Sequence, residues 1–208
     1  VSDTSLRLFL FTGDLSTALR AEEAGIDSVI VDWERSGKQA RQNGHDTEIN
    51  DHSVETVSTI ADRLTIPVTV RVDPLHPGTP EEVQRALDAG ASTLMLPMAT
   101  TPAEVDTFVR LVGDRARTLI QIETQALASH CAALRSIGWD YVHVGLNDLK
   151  ISRGGTWLWT PLLDGTIEHI CETLDDRIVG FGGATVVGGG DPIPFFHLLT
   201  EMARLGVG

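Results

Sequence analysis

The feature that most constrains this chain is an alternation of short apolar runs with amphipathic stretches. The runs cover residues 6–11, 28–33, 68–72, 93–98, 118–123, 141–144 and 179–181. Several are rich in Val, Ile or Leu, and most are continuously apolar rather than alternating. That pattern suits strands buried on both faces, as in a parallel sheet covered by helices. The stretches between them carry helical periodicity. Residues 15–24 form one and stop at Gly25, and residues 53–64 form another. Thr79-Pro80-Glu81-Glu82 reads as a helix start, with proline in the first turn and acids where the helix dipole favours them. Thr101-Pro102-Ala103-Glu104 repeats that signal, and residues 124–134, 163–174 and 194–205 supply three further helical patterns.

Strand and helix alternating in this way require parallel strands joined by right-handed crossovers. Two architectures satisfy that requirement: an open doubly wound sheet and a (β/α)8 barrel. No Gly-x-Gly-x-x-Gly turn follows the first run, which argues against a dinucleotide-binding sheet. The reading adopted is an α/β fold, a (β/α)8 TIM barrel whose last β/α unit is absent from this sequence. Its 208 residues show no linker, so residues 1–208 are read as a single domain.

Charge and hydropathy remove several functional classes. Sixteen Lys and Arg oppose 29 Asp and Glu, a net charge of −13. Such a surface repels phosphate backbones, so nucleic acid is not expected as a partner. The apolar runs fall well short of the roughly 20 residues of a membrane span, so no membrane association is expected. Residues 1–6 do not read as a secretory signal. Cys131 and Cys171 fall in no metal or redox motif and read as reduced thiols. A cytoplasmic location is expected.

In a parallel barrel the loops after the carboxyl ends of the strands build the site. Asp32 and Glu34 end the second run, and Arg71 sits within the otherwise apolar third. Gln121 and Glu123 close the fifth, and Asn147 and Asp148 follow the sixth. Any one of these acids alone reads as a helix cap, and Arg71 alone as an ion-pair partner of Asp32 or Glu34. Together they place four carboxylates, an arginine and a glutamine at equivalent strand ends. Gln121 and Glu123, two residues apart on a strand, share one face. Glu123 and Asp148, on neighbouring strands, suit Mg2+ or Mn2+, hard ions that prefer oxygen and retain water. Among the seven scattered histidines, His45 and His52 lie on the long segment after the second strand, which leaves at the same face.

The segments VIVDWE (29–34), VRVDPL (70–75), GASTLMLPMATTPAEV (90–105), LIQIET (119–124) and VHVGLNDL (142–149) carry a family resemblance. In this order and spacing, from residue 6 to about residue 205, the chain resembles the HpcH/HpaI aldolase and citrate lyase beta-subunit family of phosphoenolpyruvate/pyruvate barrels. The resemblance implies that Glu123 and Asp148 are metal ligands and that Arg71 contacts a substrate keto oxygen. It implies that Gln121 is the strand-five glutamine of the aldolase branch, and that Asp32 and Glu34 hold metal-bound water. A pyruvate-type carboxylate would bind backbone N–H groups around Asn147 and Asp148. The sequence departs from the family at two places. Arg35 follows Glu34 where the aldolase branch has its histidine base, and Met98 replaces a common lysine.

The activity so implied is that of a metal-dependent carbon–carbon lyase, an aldolase that cleaves or forms a 2-oxo acid through a pyruvate-type enolate. Mg2+ (or Mn2+) is the expected cofactor, and a small 2-oxo acid or related carboxylate the expected partner. Arg71, Asp32, Glu34, Gln121 and His45 are the expected catalytic residues, and Arg71, Asn147 and Asp148 the substrate-binding ones. The proton acceptor is read as a hydroxide on the ion, His45 or His52. An acyl-CoA lyase of the citrate-lyase beta type and a non-catalytic carboxylate- and metal-binding barrel remain alternatives. A homo-oligomer, trimer or hexamer, is expected by the same resemblance.

Overall fold

The computed structural model describes residues 6–35, 53–174, 178–183 and 186–207. Seven parallel strands lie side by side in chain order: β1 (Phe9–Phe11), β2 (Ser28–Asp32), β3 (Val68–Arg71), β4 (Thr93–Leu96), β5 (Arg117–Ile122), β6 (Tyr141–Val144) and β7 (Ile178–Phe181). No strand is out of sequence, so there is no order reversal of the doubly wound type. The sheet curls into an incomplete barrel. The helices are α1 (Leu15–Glu23), α2 (Val54–Ala61), α3 (Thr79–Asp88), α4 (Pro102–Val112), α5 (Gln125–Ser129), α6 (Leu146–Ser152), α7 (Thr160–Leu163), α8 (Thr166–Thr173) and α9 (Phe195–Arg204). Among the described residues no helix is long and apolar enough to cross a membrane.

Each strand divides its residues between two environments, because successive side chains point to opposite faces. Val29, Val31, Val68, Val70, Leu94, Leu96, Ile120, Ile122, Val142, Val144, Val179 and Phe181 belong to the core shared with the helices. The other face lines the barrel interior, where Ile30, Met95, Leu119 and Tyr141 form a separate buried cluster with Phe9 packed against it. Continuing that face by two residues brings Asp32, Gln121 and His143 above the apolar cluster, and the register places Arg71 opposite Asp32. The interior therefore changes from apolar to charged toward the carboxyl ends of the strands.

Local sequence sets the helices that hold this arrangement. Thr101 and Glu104 form a reciprocal cap at α4, each side chain accepting from the other residue's backbone N–H. Gly90 ends the α3 turn with φ +98°, a conformation that a side chain strains. Two differences from the sequence pattern have local causes. The 124–134 pattern divides into α5 and a 3-10 turn, Cys131–Ser136, and the 163–174 pattern begins after Gly165, whose left-handed backbone separates α7 from α8. At α3 the cap is Gly78 rather than Thr79, whose hydroxyl instead accepts from the His76 N–H. Both cysteines are free and buried.

Phe108 on α4 is fully buried in the outer core. Phe108→Ala removes a ring that the helices cannot close over, so the unfolding free energy should fall by about 3–5 kcal/mol. Urea unfolding followed by circular dichroism measures this, and an unchanged midpoint would contradict the packing described.

Candidate active site

Arg71, at the end of β3, anchors the polar face of the barrel interior. Its Nε donates to Asp32 Oδ1 at 2.9 Å and its Nη2 to Asp32 Oδ2 at 2.7 Å, a two-pronged pairing across adjacent strands. Glu34 Oε2 lies 3.4 Å from Nε, and Nη1 reaches Gln121 Oε1 at 3.5 Å. The guanidinium also stacks over Phe11, 4.9 Å from the ring centroid. Arg71 is 9% exposed, Asp32 1% and Glu34 3%. Burial opposes the charge on Arg71. The Asp32 hydrogen bonds and charge, with Glu34 and Glu123 behind them, nevertheless hold it protonated more firmly than usual.

Glu123 follows β5 and is 1% exposed. Burial, then the charge of Asp148 and that of Glu34, push its carboxyl up to about 8, against the pull of Arg71 and the Met98 N–H. Glu123 and Asp148 thus act on one another across neighbouring strand ends. Met98 donates its N–H to Glu123 Oε1 at 2.8 Å from a backbone with φ +55°. A left-handed methionine is uncommon, and here it turns the amide toward the carboxylate. Gly145, between β6 and α6, completes the enclosure. A Cβ on this residue would stand 2.7 Å from Glu123 Oε2 and 2.8 Å from Gln121 Nε2. Only a residue without a side chain leaves both groups where they are.

Asp148 lies in the first turn of α6, and Asn147 beside it accepts a hydrogen bond from Lys150 Nζ at 2.9 Å. Asp32, Glu34, Arg71, Gln121, Glu123 and Asp148 therefore gather around one end of the barrel. His45 and His52 lie outside the described residues. Arg35, where the aldolase branch has histidine, is exposed, and its N–H donates to Asp73 Oδ1 at 2.7 Å.

The sequence reading missed three participants. Met98 was noted only as a substitution, Gly145 carried no signal apart from its neighbours, and His143 was grouped with scattered histidines. The strand period does place His143 two residues before Gly145 on the same face, opposite Gln121. Its Nδ1 is sealed from solvent without a hydrogen-bond partner. Burial and the Arg71 charge push its pKa down to about 4, leaving a neutral imidazole at neutral pH.

The oxygen donors of Glu123 and Asp148, mutually repelling and enclosed, fit a hard divalent cation. Among the described residues the group of three that brings possible ligand atoms within 4.8 Å of one another is a different one, Asp73, His76 and Glu82. Those atoms are bonded within the β3–α3 connection. Glu82 accepts from the Asp73 N–H at 3.1 Å and lies 3.3 Å from His76 Nε2, while His76 Nδ1 accepts from the Gly78 N–H. They brace the loop that receives Arg35.

Consecutive parallel strands with a carboxylate- and arginine-lined carboxyl end define an α/β barrel protein of the TIM class. A model of the HpcH/HpaI aldolase/citrate lyase family matches residues 6–158, and the chain belongs to that family. No curated relative matches at a significant level. The fold is similar to that of an HpcH/HpaI aldolase from Desulfitobacterium hafniense DCB-2, with TM-score 0.76, 17% identity, and 99% of this chain and 85% of that one covered. An HpcH/HpaI aldolase/citrate lyase family protein from Burkholderia cenocepacia J2315 aligns with TM-score 0.74 and 19% identity over 99% and 87%. A phosphonopyruvate hydrolase, in complex with oxalate and Mg2+, aligns with TM-score 0.64 and 17% identity over 99% and 74%.

Two outcomes follow from this geometry. Gly145→Ala should displace Glu123 and Gln121 without disturbing the core, lowering divalent-ion affinity about 10–100-fold with little change in unfolding midpoint. Titration calorimetry with Mn2+ checks it, and unaltered affinity would contradict the enclosure. For His143 the folded pKa lies below the unfolded value near 6.5. The unfolded state therefore binds the proton more tightly, and stability is lost as pH falls from about 6.5 toward 4. His143→Phe should flatten that loss in urea unfolding series at pH 7 and pH 5, whereas parallel curves would contradict it.

Proposed function

We propose that this chain is a divalent-metal-dependent carbon–carbon lyase that cleaves or forms a 2-oxo acid through a pyruvate-type enolate. The observation that carries the reading is the enclosure of Glu123, under the influence of Asp148, beside the buried guanidinium of Arg71. Glu123 and Asp148 would hold Mg2+ or Mn2+, which when bound supplies Lewis-acid polarisation of the substrate carboxylate and keto oxygens. Asp32 holds one edge of Arg71, through Nε and Nη2, and leaves Nη1 directed toward Gln121. That N–H edge donates to the keto oxygen as it gains enolate charge. The substrate carboxylate binds at the start of α6, beside Asn147 and Asp148.

In the cleavage direction a proton leaves the C4 hydroxyl, the C3–C4 bond breaks, and its electron pair forms the enolate. The released carbonyl compound departs and C3 then takes up a proton. His45 is the proposed proton acceptor. Glu34 and Asp32 supply acceptors that order water at the site, and their pairing with Arg71 offsets part of the interior negative charge. A non-catalytic binding barrel is the second reading, favoured by Arg35 at the position of the aldolase base. The enzyme would reside in the cytoplasm as a homo-oligomer, trimer or hexamer. The exposed Leu6, Leu8 and Phe11 on and beside the β1 edge support that assembly.

The test is pyruvate release from a panel of 4-hydroxy-2-oxo acids and acyl-CoA esters with Mg2+ or Mn2+. Release from the oxo acids, abolished by chelator and reduced at least about a thousandfold in Glu123→Gln, is the expected result. Turnover confined to acyl-CoA esters would move the assignment to the citrate-lyase type. Metal-dependent carboxylate binding without turnover would establish the binding barrel instead.

A further inference from the structure

Among the described residues two ring nitrogens, Trp33 Nε1 and His143 Nδ1, are buried without a hydrogen-bond partner, and the function proposed above gives neither a task. His143 faces the barrel interior from β6, opposite Gln121 in the ladder and two residues before Gly145. Gly145 is the residue that packs against Glu123 and Gln121, so His143 lies on the same face, one step deeper. On its other side the ladder pairs it with Gly180 of β7. Gly182 follows, and even a Cβ there would stand 3.4 Å from His143 Nε2. The strand beyond the imidazole thus presents glycines rather than a hydrogen-bonding side chain.

This is an unusual place to keep a histidine for packing alone. The neighbouring interior positions, Leu119 and Tyr141, are members of the apolar cluster, which a leucine or phenylalanine at residue 143 would extend. A buried ring nitrogen without a partner has lost its hydration with nothing in exchange. Arg71, whose positive charge reaches the ring, has no acceptor to offer it. Such a group calls for a partner that the chain does not supply, a ligand, an ion or a water.

We propose that His143 is a further substrate-contacting residue, hydrogen-bonding an oxygen of the bound 2-oxo acid from the floor of the site. The inference rests on the carboxylate-and-metal reading of the site and adds a specificity element to it. A neutral imidazole offers one N–H and one lone pair. It therefore serves a carboxylate, keto or hydroxyl oxygen without adding a second fixed positive charge beside Arg71. With Gln121 it makes a polar floor across β5 and β6, and the ring lines the interior cavity beside Gly180 and Gly182, where Nε2 rather than the sealed Nδ1 is the nitrogen a ligand meets. A ligand presenting a methyl or methylene at that point leaves Nε2 unpaired and is disfavoured.

The test uses oxalate and pyruvate as probes, each with Mn2+ for calorimetry and with Mg2+ for magnetic resonance. In protein labelled with 15N-histidine, saturating oxalate should shift the His143 ring nitrogens. His143→Phe, which keeps a ring of similar shape, should weaken oxalate and pyruvate about tenfold while the affinity for Mn2+ alone stays within about twofold. His143→Gln should recover part of the loss, which a purely structural ring would not allow. Unmoved His143 resonances in a saturated wild-type chain, or equal affinity in His143→Phe, would overturn the proposal while leaving the metal site standing. Failure of the wild-type chain to bind either anion with metal would overturn the proposed function as well.

Discussion

The pairing of Arg71 with Asp32 is the interaction on which the polar end of this barrel depends. A guanidinium that is 9% exposed loses much of its hydration, and the loss is offset only by well-directed acceptors. The parallel register supplies them, setting Asp32 directly beside Arg71 on the neighbouring strand. With the positive charge fixed there, Glu34 joins the same network. Glu123 and Asp148 then accumulate negative charge on the far side. Phe11 closes the network from below, so that Arg71 is held by an aromatic face as well as by carboxylates. Removing Arg71 leaves Asp32 and Glu34 buried without their counter-charge, a more serious change than replacing the pair together.

The same arrangement explains why the site combines rigidity with unspent potential. Strand ends and short connections set its positions, and much of the network is already bonded. The groups in tension are those facing inward: Glu123, whose carboxyl is driven toward its protonated form, and His143, whose Nδ1 has no partner. Under the proposed function a cation would relieve the first, and a ligand oxygen would pair the imidazole of the second. Met98 shows that the backbone carries part of the load, since its left-handed conformation turns an N–H onto Glu123.

Much of this was legible in the sequence, and the reasons are physical. Continuous apolar runs are how strands buried on two faces are written, so consecutive parallel order followed once helical stretches were found between them. Asp32, Glu34, Arg71, Gln121 and Glu123 stood out because charge and amide in an apolar strand carry a desolvation cost that something must repay. Met98 and Gly145 were not legible in the same way. One acts through a dihedral angle, the other through the side chain it lacks, and neither leaves a mark in hydropathy. His143 was within reach, because the period of two from Tyr141 and the family segment ending at Leu149 put it inside. Its significance appears only with the neighbouring glycines and the unpaired nitrogen in view. The clearest helix boundary to move was one set by a single residue's backbone, at Gly165.

The central claim is that Glu123 and Asp148 share one divalent cation beside Arg71. It is tested most directly by a crystal structure of the chain grown with Mn2+ and oxalate, with anomalous data collected for manganese. The account predicts one strong anomalous peak bonded to a carboxylate oxygen of each residue, with oxalate completing the coordination toward Arg71. Metal–oxygen distances of about 2.0–2.3 Å are expected for such an ion. A peak at Asp73, His76 and Glu82 with none at Glu123 and Asp148, or well-ordered oxalate bound without a cation, would contradict it.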